Sequence, residues 1–244
     1  MSPTPVLPDG WTLVALQSVG STNDEAARLA DSGAAEGTVV WAREQIGGRG
    51  RRGRRWASPV GNLYSSTILR PDCPAQRATE LGFVATLAVA DIVPPSRAVR
   101  VKWPNDVLVD GGKVAGILPE SAIGQDGKTE HVVMGIGVNV GFAPDLPEMR
   151  YRAAMLGGTV ERALEKLTAA LATRLAQWRQ NGFETVRADW LAKADHIGLH
   201  VDVKLGEELV RGRFAGIDGD GALLLETPAG PRKIVAGELL GRAA

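Results

Sequence analysis

Residues 99–140 read VRVKWPNDVLVDGGKVAGILPESAIGQDGKTEHVVMGIGVNV, and this stretch decides the fold. Four short β-branched runs, at 99–101, 107–109, 114–118 and 132–140, are separated by Asp110-Gly111-Gly112 and by the polar segment 124–128. Apolar runs bounded by Gly, Asp and Asn are strands joined by hairpins. Upstream, residues 11–16, 38–42 and 62–69 carry the same character, and an alanine-rich helix at 24–30 follows Ser21-Thr22-Asn23, residues of the type that cap helices. Residues 76–93 are apolar at almost every helical position and end at Pro94-Pro95, which predicts a buried central helix. Two more helices are expected at 159–180 and 184–194, broken at Asn181-Gly182. From His196 onward the pattern is purely β, with strands at 201–205, 209–217, 222–226 and 232–235 and a hairpin turn at Asp218-Gly219-Asp220-Gly221. The expectation is an α+β chain: a mixed sheet with packed helices over residues 1–195, and a small barrel or sheet over 196–244.

The 244 residues carry 28 basic and 28 acidic side chains, and 44% of them are hydrophobic. A core is affordable at this length. The neutral balance argues against a nucleic-acid partner, since such proteins usually present a net positive domain. Cys73 is the single cysteine, so neither an intramolecular disulfide nor a thiolate metal site can form. No apolar run approaches the roughly 20 residues of a membrane span, and residues 1–10 lack a secretory signal pattern. These features predict a soluble, cytoplasmic protein. His131, His196 and His200 have neither metal-ligand spacing nor a nucleophile motif beside them.

Chemistry is concentrated in a few segments. Gly48-Arg49-Gly50-Arg51-Arg52-Gly53-Arg54-Arg55-Trp56 packs five arginines and three glycines into a loop that cannot be core. Arginine forks match phosphate or carboxylate, and glycine lets backbone approach a ligand, so the loop is an anion binder for either a small phosphate or a polymer. Crowded cations and flexible glycines predict that it orders only around an anion. Lys102-Trp103-Pro104-Asn105-Asp106 is a polar turn between strands, or a packed turn and nothing more. In Lys113-Val114-Ala115-Gly116-Ile117-Leu118 the lysine opens an apolar strand, and Gly116 marks a place where something approaches the backbone. Gly135-Ile136-Gly137-Val138-Asn139-Val140 carries a strand asparagine that either the fold or a ligand must satisfy. Neither a Rossmann fingerprint nor a Walker phosphate loop is present.

Taken in order, Ser21-Thr22-Asn23, Gln45 ahead of the arginine loop, Lys-Trp-Pro-Asn-Asp, Lys-x-Ala-Gly-Ile-Leu and Gly-Ile-Gly-x-Asn closely resemble the biotin–protein ligases. The resemblance runs from about residue 11 to 240, and it implies a catalytic fold of the class II aminoacyl-tRNA synthetase and biotin–lipoate ligase type with an SH3-like C-terminal domain. With only about ten residues ahead of the first strand, the chain is similar to the ligase-only form without a helix-turn-helix repressor domain. The implied reaction makes biotinyl-5′-AMP from biotin and ATP, and then transfers biotin to a lysine of a biotin carboxyl carrier protein. By the same resemblance Lys113 and Arg51 are catalytic. Ser21, Thr22, Asn23, Gln45, Arg49, Gly50, Arg51, Lys113 and Gly116 contact biotin, although Ser21 and Thr22 have a plain helix cap as their rival reading. Arg54, Trp56, Asn105, Asp106 and Asn139 serve the nucleotide, Asp106 with Mg²⁺, and Trp103 joins Trp56 as an apolar wall. Arg49 and Arg51 are expected nearest the ligand. A monomer and a homodimer are both compatible with the family. The nearest rival is a lipoate–protein ligase.

Overall fold

The computed structural model describes residues 4–144 and 152–242. Seven strands form one sheet: β1 (Thr12–Val19), β2 (Thr38–Gln45), β3 (Leu63–Leu69), β4 (Val99–Lys102), β5 (Asp106–Val109), β6 (Gly112–Ile123) and β7 (Thr129–Val138). Their order is β1-β2-β3-β7-β6-β5-β4. Only β1 and β2 run parallel, so the sheet is mixed, as expected, and both anticipated hairpins join β5 to β6 and β6 to β7.

Alternation along the strands divides this sheet between two cores. Val39, Leu69 and Val132 enter the large core, while their neighbours Val40, Ile68 and Val133 meet Ala26 and Ala30 of α1 (Thr22–Asp31) on the opposite face. The large core is built on α2 (Glu80–Asp91), which is apolar all round and buried at nearly every position. Its expected N-terminal turn, Ala75–Thr79, is 3-10 helix, and the α-helix stops before Pro94. Over it lie α3 (Val160–Asn181) and α4 (Phe183–Lys193), separated only by Gly182, whose φ of 73° makes the break. Phe83 of α2 meets both Phe183 and Trp190 of α4 edge-on, each with ring centroids 5.4 Å apart.

Five antiparallel strands make a second sheet in the order β11-β10-β9-β8-β12: β8 (His200–Leu205), β9 (Glu208–Ile217), β10 (Leu223–Thr227), β11 (Gly230–Ile234) and β12 (Glu238–Arg242). The last strand was not expected from the sequence, because five residues with two leucines carry too little pattern. It is nonetheless paired to β8, with Leu239 fully buried. The Asp218–Gly221 turn links β9 to β10 as anticipated. It also docks the small sheet on the large one, since Trp103 Nε1 donates to Gly221 O at 3.1 Å.

Trp190 is fully buried at the meeting of α2 and α4. Trp190→Ala is expected to cost about 3–5 kcal/mol in urea unfolding, and a loss below about 1 kcal/mol would contradict the packing described.

Candidate active site

Beyond the N-terminus of α1 the sheet face is bare, and a cleft of about 370 Å³ opens there. Its floor is a cross-strand row in which Lys102 pairs with Asp106, Asp106 with Gly116, Gly116 with Gly137, and Gly137 with Tyr64. A second row runs from Leu118 through Gly135 to Ser66. Gly135 and Gly137 are required by close approach. A Cβ on Gly137 would stand 2.6 Å from Trp56 Nε1, and one on Gly135 would collide with Asn23 Oδ1. Gly116 also lies under the Trp56 ring. The expectation that Gly116 brings backbone up to a ligand is therefore met, in this structure, by a tryptophan instead.

One end of the cleft is neutral and polar. Gln45 Oε1 accepts from the Thr22 backbone N–H at 2.8 Å and lies 3.0 Å from Thr22 Oγ1, while Gln45 Nε2 donates to Ser58 Oγ. Asn23 Nδ2 donates to Leu118 O and to Glu120 Oε2, and its Oδ1 accepts from Ser66 Oγ at 2.6 Å. Ser21 occupies the N-cap position of α1 and its carbonyl accepts the first helical bond from Glu25, but its side chain makes no capping bond. Ser21, Thr22 and Asn23 are buried and line the cleft.

The other end is cationic. Lys113 Nζ is 2.7 Å from Asp106 Oδ1 and 5.5 Å from the centre of the Trp56 ring. Its direction depends on a β-bulge: Ala115 faces Val107 and Lys113 faces Leu108, which leaves Val114 as an extra residue. Val114 and Ala115 both enter the large core, and Lys113 is thereby returned to the cleft face beside Gly116. Lys102 and Glu238 also border the cleft; the sequence reading gave neither a role. A lysine closing the strand Val-Arg-Val-Lys on the same parity as Asp106 was the available signal for the first. Glu238 lies on the unforeseen strand and had none.

The arginine loop spans the cleft with a short 3-10 turn, Arg51–Gly53. Mutual repulsion is relieved by the protein's own carboxylates, which the expectation of a loop ordered only by an anion had left out. Arg49 makes a two-pronged pair with Asp24, one arm at 2.7 Å, and Arg54 another with Glu238, one arm at 2.9 Å. The Arg49 guanidinium holds the Asp24 carboxyl below its usual range. Arg51 turns inward instead, with Nη1 3.3 Å from Gly237 O and 3.5 Å from Asn105 Oδ1. Burial pushes its pKa down, and the charges of Arg52 and Arg54 act in the same direction. Of the two arginines expected nearest a ligand, Arg51 enters the cleft while Arg49 is engaged at its rim.

Asn105 Nδ2 donates to Ile117 O at 2.7 Å. Asn139 is buried, with Nδ2 donating to Lys113 O and Ala154 O and Oδ1 accepting from Asn62, so the fold satisfies it. Trp103 borders the cleft, but its indole belongs to the core and the Gly221 turn. Trp56 Nε1 is buried without a hydrogen-bond partner among the described residues. Among these residues no group of three or more His, Cys, Asp or Glu could hold a metal ion.

Exposed ion pairs are each worth roughly 0.2–1 kcal/mol. Replacing both carboxylates, Asp24→Asn with Glu238→Gln, is thus expected to speed tryptic cleavage within the loop by about two- to tenfold; an unchanged cleavage rate would show that the pairs do not hold it.

Residues 15–139 match the biotin/lipoate A/B protein ligase family, and residues 196–239 match the biotin protein ligase C-terminal domain. The biotin–[acetyl-CoA-carboxylase] ligase of Paracoccus denitrificans is 42% identical over 237 residues, covering 92% of this chain and 98% of that protein. The bifunctional ligase/repressor BirA of Bacillus subtilis (strain 168) is 34% identical over 241 residues, covering 94% of this chain and 74% of that one. Among solved structures, the biotin protein ligase of Aquifex aeolicus in complex with biotin and ATP superposes with a TM-score of 0.75 at 29% identity, covering 93% of this chain and 97% of its own. With both of its sheets matched in this way, the chain belongs to the biotin/lipoate A/B protein ligase family and carries the C-terminal domain of its biotin protein ligases.

Proposed function

We infer that the protein is an ATP-dependent biotin–protein ligase. The observation that carries this reading is the division of one cleft into a neutral hydrogen-bonding end and a cationic end, which meet beside Lys113. Biotin presents an uncharged ureido ring at one end and a carboxylate at the other. Hydroxyls and amides suit the first, and we assign Ser21, Thr22, Asn23, Gln45, Gly50 and Gly116 to it. Arg49 closes that side through Asp24.

In the first step an oxygen of the biotin carboxylate attacks the α-phosphorus of ATP, the bond to the bridging oxygen breaks, and pyrophosphate leaves. Both reactants are anions, so the step requires cations placed in advance. Lys113 and Arg51 are our catalytic residues. Arg51 is desolvated and both face Asp106, which orients Lys113 without neutralising the whole group. Arg54, Trp56, Asn105 and Asp106 take the nucleotide side, where the orphaned Trp56 Nε1 offers a donor. We give Asn139 a supporting place, since its amide holds the Lys113 carbonyl.

Magnesium accompanies this reading only through Asp106. A single carboxylate fits an ion that phosphates and water hold for the most part, and an ion held there would supply charge to neutralise the departing phosphates. In the second step the neutral amine of a carrier lysine attacks the acyl carbon, AMP leaves, and the new amide loses a proton. The adenylate must be shielded from water until then, a task we assign to the arginine loop. The carrier we propose is the biotin carboxyl carrier protein of a carboxylase. We read residues 1–195 as the catalytic unit and 196–244 as the small C-terminal domain; within these bounds residues 1–3, 145–151 and 243–244 lie outside the described residues. No helix among the described residues is long and apolar enough to cross a membrane, and the lone Cys73 agrees with work in the reducing cytoplasm.

Incubated with biotin, ATP and a carboxylase carrier domain, the protein is expected to add one biotin to one carrier lysine, read by mass spectrometry; unmodified carrier would refute the reading. Lys113→Ala should slow adenylate formation by about 100-fold or more with the thermal midpoint held, and a rate near the parent's would remove Lys113 from the mechanism. Arg51→Gly should still form adenylate but release it, so that lysines of bystander proteins become labelled; retention equal to the parent's would contradict the shielding role.

A further inference from the structure

A serine that the mechanism above leaves unused joins the two amides at the neutral end of the cleft. Ser66 lies on β3 between Tyr64, which lines the cleft, and Ile68, which meets α1, and strand alternation puts all three on one face of the sheet. Its relative exposure is 0%, so it touches no ligand itself. Above it lies the first turn of α1, with Ser66 Oγ 2.6 Å from Asn23 Oδ1 and 2.8 Å from Thr22 Oγ1. Thr22 and Asn23 both line the cleft.

A continuous chain of hydrogen bonds runs through these residues, and both of its ends are groups that only accept. At one end the Trp56 carbonyl takes the Ser58 hydroxyl hydrogen, so Ser58 Oγ accepts from Gln45 Nε2 and Gln45 Oε1 is turned to Thr22. At the other end Leu118 O and the Glu120 carboxylate accept from Asn23 Nδ2, so Asn23 Oδ1 is turned to Ser66. An amide oxygen donates nothing, which commits the single Ser66 hydrogen to Asn23. The contact between Ser66 and Thr22 then requires the Thr22 hydroxyl hydrogen, while Gln45 Oε1 keeps the Thr22 backbone N–H. With its hydrogen turned to Ser66, Thr22 Oγ1 presents lone pairs to the cleft. The neutral end is thereby poled to receive a donor, and a ureido ring carries two N–H groups.

We propose that Ser66 is a positioning residue for biotin, one that holds the Asn23 amide in place and makes Thr22 an acceptor for a ureido N–H. This rests on the ligase reading, and it concerns the binding of the acid alone. ATP is assigned to the other end of the cleft, beside Lys113 and Arg51, so neither its binding nor the rate from the filled site needs the Ser66 hydroxyl. A serine that only fastened α1 to the sheet would disturb all three when lost.

The test uses the full chain and follows biotin-dependent ATP–pyrophosphate exchange in the parent, Ser66→Ala and Ser66→Cys, with biotin and ATP varied in turn. Loss of one neutral hydrogen bond that serves binding uniformly is expected to raise the biotin KM about three- to tenfold in Ser66→Ala, with kcat and the ATP KM within about twofold of the parent. Ser66→Cys fills the same space with a weak thiol donor. It should raise the biotin KM as well, and it keeps the comparison open if the alanine chain does not fold. A biotin KM near the parent's in a folded variant overturns the assignment, and so do losses shared equally by kcat and both KM values, which would mark a structural serine. A parent that shows no exchange with biotin overturns the ligase reading itself, and the role of Ser66 with it.

Discussion

A strand can point its side chains only two ways, and on β7 that constraint organises the protein. Val132, Met134, Ile136 and Val138 go to the core under α2, which leaves the intervening positions to the other face. Val133 meets α1 there, Gly135 lies against Asn23 in the first turn of α1, and Gly137 lies beyond the helix against Trp56. Any side chain at Gly135 or Gly137 would displace Asn23 or Trp56. The cleft is thus the part of the sheet that helix α1 does not cover, floored with backbone so that the groups above it can sit low. Its depth is set by the same alternation that builds the core.

Electrostatics then decides what the cleft accepts. The arginine loop is not a free polycation: Asp24 takes Arg49, Glu238 takes Arg54, and only Arg51 turns inward with burial working against its charge. The loop's two ends are tied to different parts of the chain, α1 on one side and the small sheet on the other. An anionic ligand therefore competes for guanidiniums that already have partners, and gains most from Arg51 and from the lysines beside Asp106. The small sheet, through Glu238 and Gly237, is a wall of the active site rather than an appendage.

Much of this was legible in the chain itself. Hairpin turns at 110–112, 124–128 and 218–221 announced themselves through Gly and Asp, and the all-apolar α2 through its composition and the prolines after it. What escaped was non-local. The bulge that turns Lys113 into the cleft appears only when β5 and β6 are paired; strict alternation from Gly116 would have sent Lys113 into the core. Strand β12 is too short to carry a pattern and is held by its pairing with β8. The counterions of Arg49 and Arg54 lie 25 and 184 residues away in sequence, so a reading of the loop by itself could find only repulsion. Asn139 could not be assigned to fold or ligand until its partners Asn62, Lys113 and Ala154 were in place.

The central claim is that one cleft brings biotin's carboxylate and ATP's α-phosphate together beside Lys113. Pyrophosphate exchange into ATP reports that encounter without any carrier protein, and running it with biotin and with lipoate in parallel reads out the neutral end of the cleft at the same time. The account predicts exchange that depends on biotin and is absent with lipoate. Exchange supported by lipoate and not by biotin, or independent of either acid, would contradict it.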